Sequence, residues 1–363
     1  MRRILLSGGA SGGHLFPGIA LGTALEEMGI AEACFLDGGS AMEERILAPT
    51  GFQRFPVPRF ERRPAVLARI WTNLGELFHD PGFDAVVALG AGPGLLPGLR
   101  ARQKGIPLFL LEQNRVMGKA NRLLLPFCRR AFLSLPLISE GRLLRRRMQL
   151  LGCPLRAGAG PTPLPDGGVA KLLVVGGSQG AKSVNAGILA ALDHLEQPAR
   201  VQVTHICGPG NRSGVAAAYR NAGVLAEVHE FLQDPTRALR EASLVLCRAG
   251  GSTVAEICSV GRGAVLMPYR NHRDRHQEHN AAFLTDAGAS ILAPESAREL
   301  AHGLEGLLHD RVRLEEMARA SASLGHPQAA KTVAETIATH IGFGRIGSSF
   351  DTESLGAPLE GIR

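Results

Sequence analysis

Two stretches of this chain carry residue types at spacings suited to chemistry. The first follows an apolar run ending at Cys247-Arg248. It comprises the small-residue loop Ala249-Gly250-Gly251-Ser252-Thr253, an expected helix continuing Val254-Ala255-Glu256, then Met267-Pro268-Tyr269 and a polar segment from Arg270 to Asn280. A strand ending in such a loop, with Ser252 or Thr253 capping the next helix, aims backbone N–H groups and the positive helix end at one spot. That spot suits a diphosphate. Glu256, expected three residues into the helix, offers acceptors to a ribose diol, and Arg275, His276 and Gln277 could reach sugar hydroxyls. The pattern points to a nucleotide-sugar donor, although an ordinary strand-loop-helix crossover looks the same locally. The second stretch is Ser7-Gly8-Gly9-Ala10-Ser11-Gly12-Gly13-His14. Imidazole titrates near neutral pH, so His14 could be a general base beside a bound phosphate. A histidine that merely opens a helix is the alternative.

Other chemistries fit less well. Gly8 to Gly13 is similar to a dinucleotide-binding turn, with Asp37 near the end of the second strand as a ribose ligand. The glycines are out of register with G-x-G-x-x-G, however, and an NAD enzyme would leave Glu112-Gln113-Asn114 and the second half of the chain without a role. His272, His276 and His279 have spacings open to a metal, but Arg270, Arg273 and Arg275 interleave with them and no carboxylate cluster accompanies them. Six scattered cysteines with no C-x-x-C pair fit buried free thiols in a reducing compartment.

The elements that must position these loops alternate between strand and helix. Strands are expected at Arg3 to Leu6, Ala33 to Leu36, Gln53 to Val57, Asp84 to Leu89 and Pro107 to Leu111, with helices at Pro17 to Met28, 42–48 and Pro64 to His79. Leu151 to Gly168 holds four prolines and five glycines, too many breakers for an element, and reads as a linker. The plan then restarts with the strand Lys171 to Val175 and a second glycine-rich turn, Gly176 to Ser183. Strands at Val201–Cys207, Ala226–Phe231, Leu244–Cys247, Ala264–Met267 and Ser290–Leu292 follow, and helices continue to about Ile341. The expected fold is α/β, with two Rossmann-like domains facing a cleft. The chain's 363 residues favour two cores over one. Domain bounds of 1–155 and 156–341 follow, with 342–363 as a polar tail.

Charge divides the same way. Residues 1–165 hold 21 Lys and Arg against 12 Asp and Glu, whereas residues 166–363 hold 19 against 21. A basic first half suits nucleic acid, an anionic membrane or a polyanionic ligand, and the lack of interleaved arginine and aromatic residues argues against nucleic acid. No apolar run reaches the roughly 18 to 20 residues that span a bilayer. The N-terminal apolar run is too short for a signal peptide, so a cytosolic protein is expected. The helix Pro64 to His79, with Trp71 and Phe78 among arginines, would either dock on anionic lipid or turn its apolar stripe to the core.

Taken together, four motifs resemble the MurG family of peripheral glycosyltransferases. They are Gly8-Gly9-Ala10-Ser11-Gly12-Gly13-His14 with Phe16-Pro17-Gly18, Glu112-Gln113-Asn114, Val174 to Ala181, and Cys247 to Ile257. The resemblance runs from about residue 3 to 340. It implies the glycosyltransferase-B architecture and inverting transfer of N-acetylglucosamine from UDP-GlcNAc to a lipid-linked muramyl-pentapeptide during peptidoglycan synthesis. It implies no cofactor and no obligatory metal, with the enzyme on the cytoplasmic face of an anionic membrane. It also implies roles for single residues. Ser178 and Gly251-Ser252-Thr253, running into Val254-Ala255, would hold the donor diphosphate and Glu256 the ribose. Leu232 would meet uracil with Arg156 nearby, and His276-Gln277 with Asn114 would read the sugar. Ser11-Gly12-Gly13 would lie on the acceptor diphosphate, and His14 would be the base. A non-catalytic nucleotide-sugar-binding homologue or a UDP-GlcNAc epimerase-like enzyme would share much of this pattern. The sequence departs from the family at Gly90 to Pro97, which lacks a usual tyrosine, and at Leu111, Cys153 and His276.

Overall fold

The computed structural model describes residues 2–9, 11–79, 82–139, 144–156, 158, 160–166, 169–177 and 180–342. The 343–363 segment and Ser178 lie outside the described residues, so the expected tail and that one expected diphosphate ligand are not placed.

The first sheet contains β1 (Arg3–Ser7), β2 (Glu32–Asp37), β3 (Gln53–Pro56), β4 (Ala85–Ala88), β5 (Leu108–Glu112), β6 (Arg130–Leu133) and β7 (Met148–Leu150), all parallel, in the order β3-β2-β1-β4-β5-β6-β7. Its helices are α1 (Gly12–Glu27), α2 (Ala41–Leu47), α3 (Pro64–Leu77), α4 (Leu95–Gln103) and α5 (Lys119–Leu124). The second sheet contains β8 (Ala170–Val175), β9 (Val201–Ile206), β10 (Leu225–His229), β11 (Leu244–Cys247), β12 (Gly263–Leu266) and β13 (Ser290–Leu292), also parallel, in the order β10-β9-β8-β11-β12-β13. Around it lie α6 (Lys182–Leu192), α7 (Arg212–Asn221), α8 (Thr236–Glu241), α9 (Gly251–Val260), α10 (His276–Asp286), α11 (Ala297–His309) and α12 (Arg311–Ser323).

Strand alternation sends neighbouring side chains to opposite helix layers. Ile4 and Leu6 of β1 join one core and Leu5 the other. In β11, Leu244 and Leu246 face one layer while Val245 and Cys247 face its opposite. All six cysteines are buried and unpaired. Burial pushes the Cys153 and Cys258 thiols up to about 12, which leaves them protonated and inert. The chain order reverses between β1 and β4 in one sheet and between β8 and β11 in the other, so each sheet opens its ligand crevice beside its glycine-rich turn.

Two expectations are corrected and one alternative left open by the sequence is decided. The helix α1 starts at Gly12, not near Pro17, because Ser11 takes the extended N-cap conformation and Pro17 sits inside the helix. The apolar stripe of α3 faces inward: Ile70, Leu74 and Phe78 are buried, and the half-buried Trp71 lies under the Arg100 guanidinium at 4.4 Å. Finally, α13 (Ala329–His340) returns to the first sheet, where Val333, Ala334, Ile337 and Ala338 complete the core around Ile4, Leu6 and Leu15. Residues 329–341 therefore pack with the N-terminal body rather than with the second half.

Within the second body, the fully buried Arg262 holds the linker. Its guanidinium donates to the carbonyls of Thr162 at 2.8 Å, Pro163 at 3.0 Å, Arg240 at 2.7 Å and Ala242 at 2.8 Å. Its charge is thus shared among carbonyl dipoles rather than neutralised by a carboxylate.

Candidate active site

The crevices of the two sheets meet. In the first, Gly8 and Gly9 have φ of 129° and 128°, a region open to glycine and closed to other residues. A side chain on Gly8 would run into the Gly90 carbonyl. The turn delivers Ser11 to the N-cap of α1, and its hydroxyl pairs with His14 Nδ1 at 2.9 Å instead of capping the helix. Burial pulls His14 down to about 4, and the neighbouring His276 adds to the effect. The Nε2 edge of the His14 ring abuts Gly90.

In the second crevice the N-cap of α9 is Gly250, extended at ψ 143°, so Ser252 and Thr253 sit in the first turn and cap nothing. Both differ from the sequence expectation, and Glu256 accordingly lies in the second turn. The N–H groups of the first turn still form the positive helix end. Glu256 is half-buried and raised to about 7 by desolvation, against the lowering influence of Arg156. It lines a narrow recess, open to solvent, with Phe16, Arg156 and Asp234. Arg248 donates to Ser183 Oγ at 3.1 Å and stacks on Tyr269 at 4.7 Å, joining the start of α6 to the loops after β11 and β12.

Across the cleft the two helix starts touch. A Cβ on Gly13 would stand 3.3 Å from Ser252 Oγ, and one on Gly251 would overlap the Gln113 carbonyl. Glycine at these positions lets the bodies close. Glu112 organises the loop after β5: fully buried, it accepts from Asn114 N at 3.1 Å, Gly118 N at 2.8 Å and Asn121 Nδ2 at 3.0 Å. These bonds offset the burial that raises its pKa. Asn114 is thereby aimed at the second body, where its Oδ1 accepts from Asn280 Nδ2 at 2.9 Å. A second clasp stacks Phe231 on Phe16 at 6.3 Å, with Arg45 over Phe231 and Arg156 over Phe16. Leu232, next to this clasp, is half-buried. Gln277 Oε1 accepts from Tyr269 N at 2.9 Å, and His276 Nδ1 lies 2.8 Å from Asp274.

The fold thus gathers Ser11, Gly12, Gly13, His14, Asn114, Gly251, Ser252, Thr253 and His276 at one face of the cleft, with Arg156 and Glu256 in the adjoining recess. Sequence reading gave no role to Asn280, Arg115 or the Phe16–Phe231 clasp. The only local signal for Asn280 is a poor helix former inside a helix.

Comparison with known proteins bears on this arrangement. Residues 4–133 match the glycosyltransferase family 28 N-terminal domain and residues 171–333 its C-terminal domain. A protein of Xanthomonas campestris pv. campestris (strain B100), called UDP-N-acetylglucosamine–N-acetylmuramyl-(pentapeptide) pyrophosphoryl-undecaprenol N-acetylglucosamine transferase, is 36% identical over 98% of this chain and 86% of its own length. A protein of the same name from Acidovorax sp. (strain JS42) is 36% identical over 88% of this chain and 82% of its own. The crystal structure of Acinetobacter baumannii MurG superposes with a TM-score of 0.75 at 27% identity, covering 93% of this chain and all of that one. A putative UDP-N-acetylglucosamine 2-epimerase from Listeria monocytogenes reaches a TM-score of 0.68 at 13% identity, covering 96% and 99%, which is a likeness of fold alone.

Proposed function

This chain belongs to glycosyltransferase family 28, and on that premise we infer that it moves N-acetylglucosamine from UDP-N-acetylglucosamine to lipid-linked N-acetylmuramyl-pentapeptide in peptidoglycan synthesis. It is an N-acetylglucosaminyltransferase of the glycosyltransferase-B architecture. The observation that carries this reading is the meeting of two helix N-termini, α1 with His14 and α9 with Ser252 and Thr253, at one point of the cleft.

In the mechanism we propose, the α9 start and Ser178 hold the donor diphosphate, Glu256 the ribose, and Arg156 and Leu232 the base. Asn114, His276 and Gln277 contact the sugar. On the acceptor side, Ser11, Gly12 and Gly13 lie against the lipid diphosphate. The C4 hydroxyl oxygen of the muramyl residue bonds to the sugar's anomeric carbon with inversion. The bond from that carbon to the β-phosphate breaks, and its electron pair leaves with UDP. His14 Nε2 takes the hydroxyl proton, which requires Nδ1 to carry the ring's own proton and donate it to Ser11 Oγ. Charge developing on UDP is met by the N–H groups of α9. No step calls on a cofactor.

We also propose an N-terminal body, residues 1–155 plus the returning α13, that takes the acceptor, and a second body within 156–341 that takes the donor. Among the described residues no helix is long and apolar enough to cross a membrane. Attachment to an anionic cytoplasmic membrane face would use exposed Leu123 and Phe127 rather than α3, because they project among exposed Lys119, Arg122 and Arg129. Each such cation contributes about 1 kcal/mol near an anionic surface.

Incubation with radiolabelled UDP-GlcNAc, with and without lipid-linked muramyl-pentapeptide, tests the reading. Acceptor-dependent UDP release and a labelled disaccharide lipid are expected. Donor binding with no transfer would instead mark a non-catalytic homologue, and isomerised sugar formed without acceptor would mark an epimerase.

A further inference from the structure

His272, Asp274 and His276 converge just before and at the first residue of α10. One ligating atom from each lies within 4.8 Å of the other two. The convergence is built by the backbone: Arg275, a non-glycine residue, sits at φ 48°, and this left-handed kink folds His276 back onto Asp274. The imidazoles of His272 and His276 are tilted against each other with centroids 4.6 Å apart, and Tyr269 packs on the far side of His272 at 5.0 Å. The arginines that interleave with the histidines in sequence would oppose a cation there. In the fold two of them are turned to carboxylates, Arg270 to Glu295 at 3.1 Å and Arg275 to Glu278.

We propose that His272, Asp274 and His276 form a binding site for a divalent transition metal, best suited to Zn2+. Two imidazoles and one carboxylate are a borderline-soft donor set of the kind Zn2+ takes, with the fourth position left to water. Tetrahedral coordination needs ligand atoms about 3.3 Å apart at the usual bond lengths. His276 Nδ1 and Asp274 already lie 2.8 Å apart, and the side chains of His272 and Asp274 are exposed, which leaves them room to rotate to that spacing. The site is regulatory in position. His276 stands beside His14 and next to Gln277, so a metal on His276 draws its ring from the donor sugar and sets a double positive charge near the base. Metal binding should therefore inhibit, a consequence that rests on the transferase reading, whereas the binding itself does not.

The test is titration of the full chain with Co2+, followed by visible absorption and competed with Zn2+. One equivalent with tetrahedral bands is expected. Outer-shell changes alone typically cost about 10- to 100-fold in metal affinity, so His272→Ala and the isosteric Asp274→Asn should each cost at least that. Unchanged Co2+ binding in both variants, or no tetrahedral spectrum in the parent, overturns the site. Zn2+ is further expected to weaken UDP-GlcNAc binding in the parent and not in His272→Ala, and equal weakening in both overturns the inhibitory role. A chain that binds Co2+ through these residues but transfers no sugar would count against the transferase reading alone.

Discussion

Ala91 holds φ 58° and ψ 178°, a conformation that glycine takes freely and that costs any other residue about 1–3 kcal/mol. It stands between Gly90, which abuts the His14 ring, and Gly92, on which Phe60 lies. The strain is therefore stored in the loop that borders the candidate base. Ala91→Gly is expected to raise stability by about 1 kcal/mol in urea unfolding, the relief of strain exceeding the added chain entropy; a loss of stability would remove strain from the account. His14 makes a prediction of opposite character. Its folded value of about 4 lies below the ordinary 6.5, so the unfolded chain takes up the proton first as pH falls. The stability tied to a neutral His14 is complete above pH 6.5 and declines down to about 4. The buried His205, held between Asn185 and Tyr219 at 3.1 Å each, adds a decline of the same sign. His14→Gln should flatten the stability profile between those limits. The ring also stays neutral and able to accept a proton at physiological pH, so the acid limb of kcat/KM in the parent should fall below about pH 5. A limb at 6.5 would contradict a desolvated His14 as base.

The element that couples the two crevices is α10. Its fully buried Asn280 donates to Asn114 Oδ1 at 2.9 Å and to the Ala249 carbonyl at 3.0 Å, and accepts from Arg115 N at 3.0 Å. One side chain thus ties the loop after β5 to the loop that starts α9. Asn280→Ala leaves those partners unpaired at about 1–3 kcal/mol for each that stays buried. A lower melting temperature is expected together with a fall in kcat/KM for transfer; a lower melting temperature with unchanged kcat/KM would reduce Asn280 to a packing residue. None of this was legible in the sequence, because a contact between residues 114 and 280 has no local signature. Strands such as Leu244–Cys247 and Ser290–Leu292 were legible, as short apolar runs bounded by breakers. The start of α3 at Pro64 was also legible, but the starts of α1 and α9 were not. Pro17 reads as a first-turn proline but is the sixth residue of α1, and Gly250 rather than a hydroxyl residue occupies the N-cap of α9. For a related reason spacing gives the charge of the arginines around His272 and not the carboxylates, Glu295 and Glu278, to which Arg270 and Arg275 turn.

At the scale of the molecule, the chain closes on itself twice. The cleft is shut by glycine contacts, by Asn280 and by the Phe16–Phe231 stack, while α13 crosses back so that the N-terminal core contains both ends of the described chain. Helix was expected to about Ile341, and Val333, Ala334, Ile337 and Ala338 are the buried face of α13, but the sheet that face covers depends on the path of the whole chain. Under the proposed function, the lipid end of the acceptor meets a surface outside the closed cleft. The excess of nine positive charges on residues 1–165 has a definite outlet if that surface is a membrane. With α3 turned inward, the exposed large apolar side chains among the described residues of this basic body are Leu123, 60% exposed, Ile138, 47% exposed, and Phe127, 44% exposed and capped by Arg102 at 5.7 Å, and Leu123 and Phe127 share the segment that carries Lys119, Arg122 and Arg129. Insertion of two such side chains adds the apolar contact that cations alone lack. Leu123→Asp with Phe127→Asp should abolish co-sedimentation with vesicles containing anionic lipid while leaving UDP binding unchanged. Raised salt should weaken the parent in the same assay, because surface attraction is screened within a Debye length. Binding that survives both changes would move the docking face elsewhere on the molecule.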